Sequence, residues 1–185
     1  MATVAYAQQG RAVNVTVPEE LEATLFSPNT LTPCVACIGV APTGEVYAGV
    51  DQIGSLGKGG GKGKIIRLID ADHDGISEAH TVYAVIDNPR GIVPIGDKLY
   101  VLHTKWGEGK KFEGMFLSVL TDANGDGKAD GPPKHLVKEI STRKFNQARG
   151  VDHTTNGIRM GIDGWIYVAI GDFGFVDAEG TDGTK

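Results

Sequence analysis

The chain has 185 residues, 41% of them hydrophobic and 22% charged, with a formal net charge of −5. That length is one domain's worth and buries roughly 70% of the unfolded surface; the balance excludes a disordered chain, and basic residues scattered among more acids leave no nucleic-acid footprint. No apolar run approaches the ~20 residues that a membrane helix needs.

In chain order, the N-terminus "MATVAYAQQG" contains Ala5-Tyr6-Ala7, the A-x-A form of a signal cleavage site, without the basic and apolar segments that normally precede one. It reads either as the remnant of an export signal or as a polar terminus that frays. Residues 1–33 are expected to be an N-terminal segment with a lead-in strand. Within them, "PEELEATL", Pro18 to Leu25, has the longest helical spacing in the chain, yet it also suits entry into a strand. Cys34-x-x-Cys37 follows, with no histidine after it, so it is not a haem-attachment motif. If this segment is a strand, the two thiols face opposite sides and cannot pair easily, and buried, inert cysteines are expected.

The 27 glycines sit between short β-branched and aromatic runs, which is the composition of strands joined by tight turns; the expected class is all-β. Three segments repeat a strand–turn–strand pattern ending in a tyrosine: "IGVAPTGEVYAGV" with Tyr47, "GIVPIGDKLYVLH" with Tyr100 and "GIRMGIDGWIYVAIGD" with Tyr167. The first two continue into a second hairpin bearing an acidic turn, "DADHDGISE" from Asp70 and "DANGDGKAD" from Asp122, 52 positions apart. A four-stranded unit at this period is the signature of a β-propeller blade. The predicted blades span about 34–86, 88–140 and 149–185, two and a half blades of a longer propeller. The alternative, a complete small open sheet, would leave an uncovered edge.

The acidic turns place Asp70, Asp72, Asp74 and Glu78, and in the second copy Asp122, Asn124, Asp126 and Asp130, at positions 1, 3, 5 and 9 of a calcium loop. Gly75 and Gly127 occupy position 6. Oxygen ligands at this spacing suit Ca²⁺, but position 12 holds Thr81 or Pro133 where a sensor loop needs a bidentate glutamate. These turns are expected to be rigid hairpin ends, pinned by calcium or simply solvated. In a four-stranded meander they lie on the face opposite the connections between units.

"GSLGKGGGKGK", Gly54 to Lys64, does not fit a phosphate-binding loop in any register and reads as a flexible connection. In the matching "KWGEGKKFEG", Trp106 either walls a pocket or packs over the loop base. "RGVDHTTNGIRMGIDGWIYVAIGDFG", Arg149 to Gly174, puts Asp152, His153, Thr154, Thr155 and Asn156 directly before an inner strand. His153 then falls on a connection between units, on the face away from the acidic turns. A histidine beside an acid can act as a general base; the competing reading is a loop whose polar groups only satisfy backbone. His103 is a candidate for the same face, while His73, His80 and His135 are expected to be solvated.

The stretch "DHTTNGIRMGIDGWIYVAIGDFG" resembles the corresponding segment of soluble quinoprotein sugar dehydrogenases, six-bladed propellers that use pyrroloquinoline quinone (PQQ). The repeat and the acidic hairpins also look like the N-terminal domain of the large haem-binding, membrane-bound dehydrogenases of planctomycete-type bacteria. The first resemblance implies that His153 takes the hydroxyl proton as hydride passes to the quinone, and that Asp152 contacts the sugar. Ile162 stands where that family has proline, and the family's quinone anchors and catalytic calcium site come from later blades. The expected function is therefore oxidation of a sugar or related alcohol, in the periplasm or after secretion, with electrons passed to cytochrome c. A non-catalytic module that binds carbohydrate or a protein partner is the second reading, and a lactonase-like hydrolase the third.

Overall fold

A computed structural model describes the backbone of residues 2–8 and 11–185, with side chains from Val15 onward. The protein is all-β, built of antiparallel strands. The hairpin β1 (Ala2–Gln8) and β2 (Arg11–Val17) comes first, so Ala5-Tyr6-Ala7 lies within a paired strand. Pro18 to Leu25 forms neither helix nor strand.

The first four-stranded sheet is a meander, β3 (Val35–Val40), β4 (Val46–Asp51), β5 (Gly63–Ile69) and β6 (Ala79–Val85). A second meander follows the same order in β7 (Asp87–Ile95), β8 (Lys98–Trp106), β9 (Phe112–Thr121) and β10 (Lys134–Lys138). A third hairpin pairs β11 (Thr155–Met160) with β12 (Ile166–Ile170). Two elements were not foreseen from the sequence. The helix α1 (Arg143–Arg149) bridges the second meander to the third hairpin. The strand β13 (Glu179–Gly180) leaves the third unit and pairs with β10, which makes the second sheet five-stranded. The segment 149–185 is thus divided between two sheets.

Period-two alternation lets each sheet bury both faces. In β8, Leu99 and Val101 face the first meander and join Ile65, Tyr83, Ile86, Ile92 and Leu120 in one cluster. Leu102 and Trp106 face the other way, with Phe112, Met115, Leu117, Ile140, Val151 and Ile158. The outer face of the first sheet, Ala48, Val50, Ile66 and Leu68, is covered by Phe26 and Leu31 of the N-terminal segment. Burying an aliphatic side chain of this kind contributes about 1.5–3 kcal/mol. The leading strands β3, β7 and β11 approach closely at glycines. A Cβ on Gly39 would stand 2.8 Å from Ile92, and one on Gly91 would stand 2.6 Å from Ile158.

Register defines two ends. Ile69 pairs with Ala79 beside the first acidic turn, and the Asp122 amide donates to the Asp97 carbonyl beside the second. At the other end lie the β4–β5 and β8–β9 connections, and here α1 and its exit pack. The Val151 amide donates to Ser55 (2.7 Å), and the Phe112 amide donates to Gln147 Oε1 (2.7 Å).

Candidate functional site

The polar cluster before β11 is built from the exit of α1. Gly150 leaves the helix at φ 78°, a left-handed value that favours glycine. Val151 is then fully buried, which forces Asp152 and His153 up toward the α1 end of the molecule. Backbone needs are met by other residues: Thr154 Oγ1 donates to the Val151 carbonyl (2.8 Å) and Asn156 Nδ2 to the Thr154 carbonyl (2.8 Å). The Phe173 amide donates to the His153 carbonyl (3.2 Å).

The His153 ring is left for side-chain partners. Nδ1 is 2.6 Å from Asp172 Oδ1, and Nε2 is 3.2 Å from Asp152 Oδ2. Phe173 stacks on the ring at 5.4 Å and 23°, and Arg149 Nη2 stands 3.5 Å from Nε2. Carboxylates only accept hydrogen bonds. The shorter contact fixes the Nδ1–H toward Asp172 and turns Nε2 toward Asp152, Arg149 and solvent; the ring is about 40% exposed. Each ring nitrogen thus faces a carboxylate, and Nε2 becomes a proton acceptor only when Asp152 turns away from it. Asp172, Phe173 and Arg149 were not assigned from sequence. Asp172 and Phe173 sit in the "GDFG" of the same motif, 19 and 20 positions after His153, and only the β11–β12 hairpin brings them back.

Beside this cluster, a cleft of about 450 Å³ runs between β3, β7 and β11, lined among others by Cys37, Ile38, Arg90, Asn156, Ile158 and Arg159. Arg90, one of its lining residues, belongs to a buried polar network. Arg90 Nη2 donates to Asp51 Oδ2 (2.7 Å), and Asn88 Nδ2 donates to the same carboxylate (3.1 Å). Asn88 Oδ1 accepts from Thr104 Oγ1 (2.6 Å) and Trp106 Nε1 (2.7 Å). Trp106 therefore packs over the loop base, its ring edge-on to Phe112. Arg90 Nε is buried without a partner among the described residues. Burial works against the charge of Arg90, while Asp51 and, more weakly, Asp152 restore it.

The acidic turns stand at the far end, each closed by the same bonds. Gly75 N donates to Asp70 Oδ2 and Gly127 N to Asp122 Oδ2, both at 2.9 Å. The Ala71 amide donates to Glu78 (2.7 Å) and the Ala123 amide to Asp130 (2.8 Å). Asp74 N meets Asp72, and Asp126 N meets Asn124. Oxygens of Asp70, Asp72, Asp74 and Glu78 come within 4.8 Å of one another, close enough to hold a hard cation; among the described residues the second turn does not gather its acids this way. A threonine grips each turn from outside: Thr24 Oγ1 donates to the Gly75 carbonyl (2.7 Å) and Thr81 Oγ1 to the Gly127 carbonyl (2.8 Å). Position 12 of the first loop thus serves the second one.

Other expectations are corrected. Cys34 is exposed, because it precedes β3 at φ 52° and never enters the sheet. Cys37 is half-buried at the cleft wall, and burial pushes its thiol up to about 12. Both are free thiols. His103 does not line the His153 face: it is 2% exposed, and burial lowers it to about 4. His135 is not solvated but half-buried, stacked on Phe116 at 4.0 Å, and burial lowers its pKa as well. His73 and His80 are exposed as expected. Ser118 Oγ links the two inner histidines, at 2.8 Å from His103 Nε2 and 2.8 Å from His135 Nδ1.

In class, then, this is an all-β protein of repeated antiparallel units with a His–Asp cluster at one end. It belongs to the family described as a domain of unknown function, DUF7133, whose model matches residues 15–184. No curated protein and no solved structure matches the chain. No helix among the described residues is long and apolar enough to cross a membrane.

Proposed function

We propose that the two meanders and the third hairpin are successive blades of a β-propeller, and that the His153 end oxidises a sugar or related alcohol with a bound quinone. Two sheets of the same strand order, stacked with their first strands adjoining, support the propeller. The observation that carries the reaction is the short Asp172–His153 contact, which makes Nε2 the proton acceptor once substrate displaces Asp152 from it. Nε2 takes the proton of the substrate hydroxyl while hydride leaves the same carbon, so that the alcohol becomes a carbonyl. When bound, a quinone such as PQQ would supply the hydride acceptor, with cytochrome c as the proposed electron-accepting partner. Asp152, displaced from Nε2, holds the neighbouring sugar hydroxyl. Of the cleft donors, Arg159 is a guanidinium of the kind that a quinone's carboxylates require, whereas Arg90 is held by Asp51 and Asn156 by the Thr154 carbonyl. Calcium, at the acidic turns, has a structural part only. The resemblance to quinoprotein sugar dehydrogenases and to planctomycete-type membrane-bound dehydrogenases adds weight to the reading and to a periplasmic or secreted location.

The test is dye-coupled oxidation of aldoses and polyols by the full-length protein reconstituted with PQQ, with quinone content read by absorbance. His153→Ala should lose about 10²–10⁴-fold in turnover while retaining the quinone. One observation favours the second reading, a carbohydrate-binding module: both ring nitrogens already face carboxylates. A wild type that takes up no quinone and oxidises nothing, yet binds the sugars, decides for it.

A further inference from the structure

Arg149 stands beside His153 without a carboxylate of its own. Its guanidinium lies over the Phe173 ring at 5.5 Å, and Nη2 is 3.5 Å from His153 Nε2, too long for a good hydrogen bond. The two acids beside the histidine are directed at its ring: Asp152 at Nε2, Asp172 at Nδ1. Among the described residues, Arg149 makes no ion pair, whereas its helix neighbour Arg143 is paired with Glu139. A planar cation held on an aromatic ring, with its donors unspent and a proton acceptor at its side, is arranged to receive a planar anion bidentately. In the adjoining cleft, Arg159 likewise has no carboxylate partner among the described residues.

We infer that the His153 site takes a hydroxy acid, a sugar acid in particular, and that Arg149 binds its carboxylate while a nearby hydroxyl meets Nε2. This rests on the proposed function for the fate of the hydroxyl, but the binding step stands without it. The neutral aldose is the poorer ligand because it leaves the guanidinium unanswered.

D-galacturonate and D-galactose are a suitable pair of probes, since they differ at C6, where one bears a carboxylate and the other a hydroxymethyl group. Calorimetric titration of the chain should show galacturonate binding about tenfold to a hundredfold more tightly than galactose. The preference should weaken with added salt. Arg149→Gln should abolish it and Arg149→Lys should keep part of it, with folding checked by circular dichroism; Arg149 is exposed, so neither change disturbs a core. Equal affinities in the wild type, no binding of either probe, or a preference that survives in Arg149→Gln would overturn the inference. Galacturonate binding lost in Arg149→Gln, in a chain that oxidises neither sugar with PQQ, would uphold it and reject the oxidation.

Discussion

Asp152 and Asp172 approach the same imidazole from opposite sides and do different things to it. Asp172 holds Nδ1 at 2.6 Å, so Asp172→Asn should let the ring take the wrong tautomer. If the site oxidises an alcohol as proposed, turnover should fall by about 10²-fold or more with little change in KM, whereas Asp152→Asn should act mainly on KM; steady-state kinetics on the alcohol oxidised separates the two. His103 offers a prediction free of the catalytic reading. The Thr104 carbonyl only accepts, so Nδ1 of His103 carries the proton, and Nε2 accepts from Ser118. The neutral ring is what the fold needs, and burial lowers it from 6.5 to about 4. Between those values the unfolded chain binds the extra proton, so stability is fully present above pH 6.5 and is lost as pH falls toward 4, by on the order of 3 kcal/mol. Urea melts at pH 7.5, 5.5 and 4 should show this loss. His103→Gln should be less stable at pH 7.5 but flatter across the range. At this scale the sequence is an uneven guide. Asp152 and His153 were legible because they adjoin in a motif. The burial of His103 was not, because "LYVLHTKW" does not tell which alternate positions a second sheet will cover.

The two acidic turns show how an element is stabilised by what precedes it. Thr24 and Phe26 grip the first turn, through the Gly75 carbonyl and the Ser77 amide; Thr81 and Tyr83 grip the second, through the Gly127 carbonyl and the Ala129 amide. The segment Thr24–Phe26 therefore does for the first unit what β6 does for the second. Thr81→Val should cost about 1 kcal/mol in a denaturant melt, the net worth of one such bond. Gly127, at φ 80°, should tolerate alanine poorly, with a cost of about 1–2 kcal/mol. If the turns hold calcium, EDTA should lower Tm in the wild type and change it little in Asp72→Ala with Asp126→Ala. Strands β3 to β9 were readable because each alternates or runs apolar between Gly- or Asp-rich turns. Helix α1 was not: it has seven residues, of which only Asn146 is buried, too short a stretch to show a period. Nor was β13, a two-residue strand whose partner lies more than 40 positions back.

On the scale of the whole molecule, the apolar surface is unevenly covered. Val35, Ile38 and Val40 on β3, Val82 and Val85 on β6, and Ile162, Trp165 and Tyr167 in the third hairpin are all exposed. Such strand surfaces invite association. Sedimentation of the chain should show concentration-dependent self-association, reduced by Ile162→Lys with Trp165→Lys. Where the units do meet, the joint is polar at one end: Asp51 of the first sheet is 2% exposed and has Arg90 and Asn88 of the second as its partners. A buried carboxylate stripped of its cation is strongly destabilising. The molecule is therefore hard to divide. A chain cut between Ile86 and Asn88 would give two pieces that each carry half of a charged lock. Each piece should be poorly folded alone, and mixing them should restore structure through complementation that Asp51→Ala weakens.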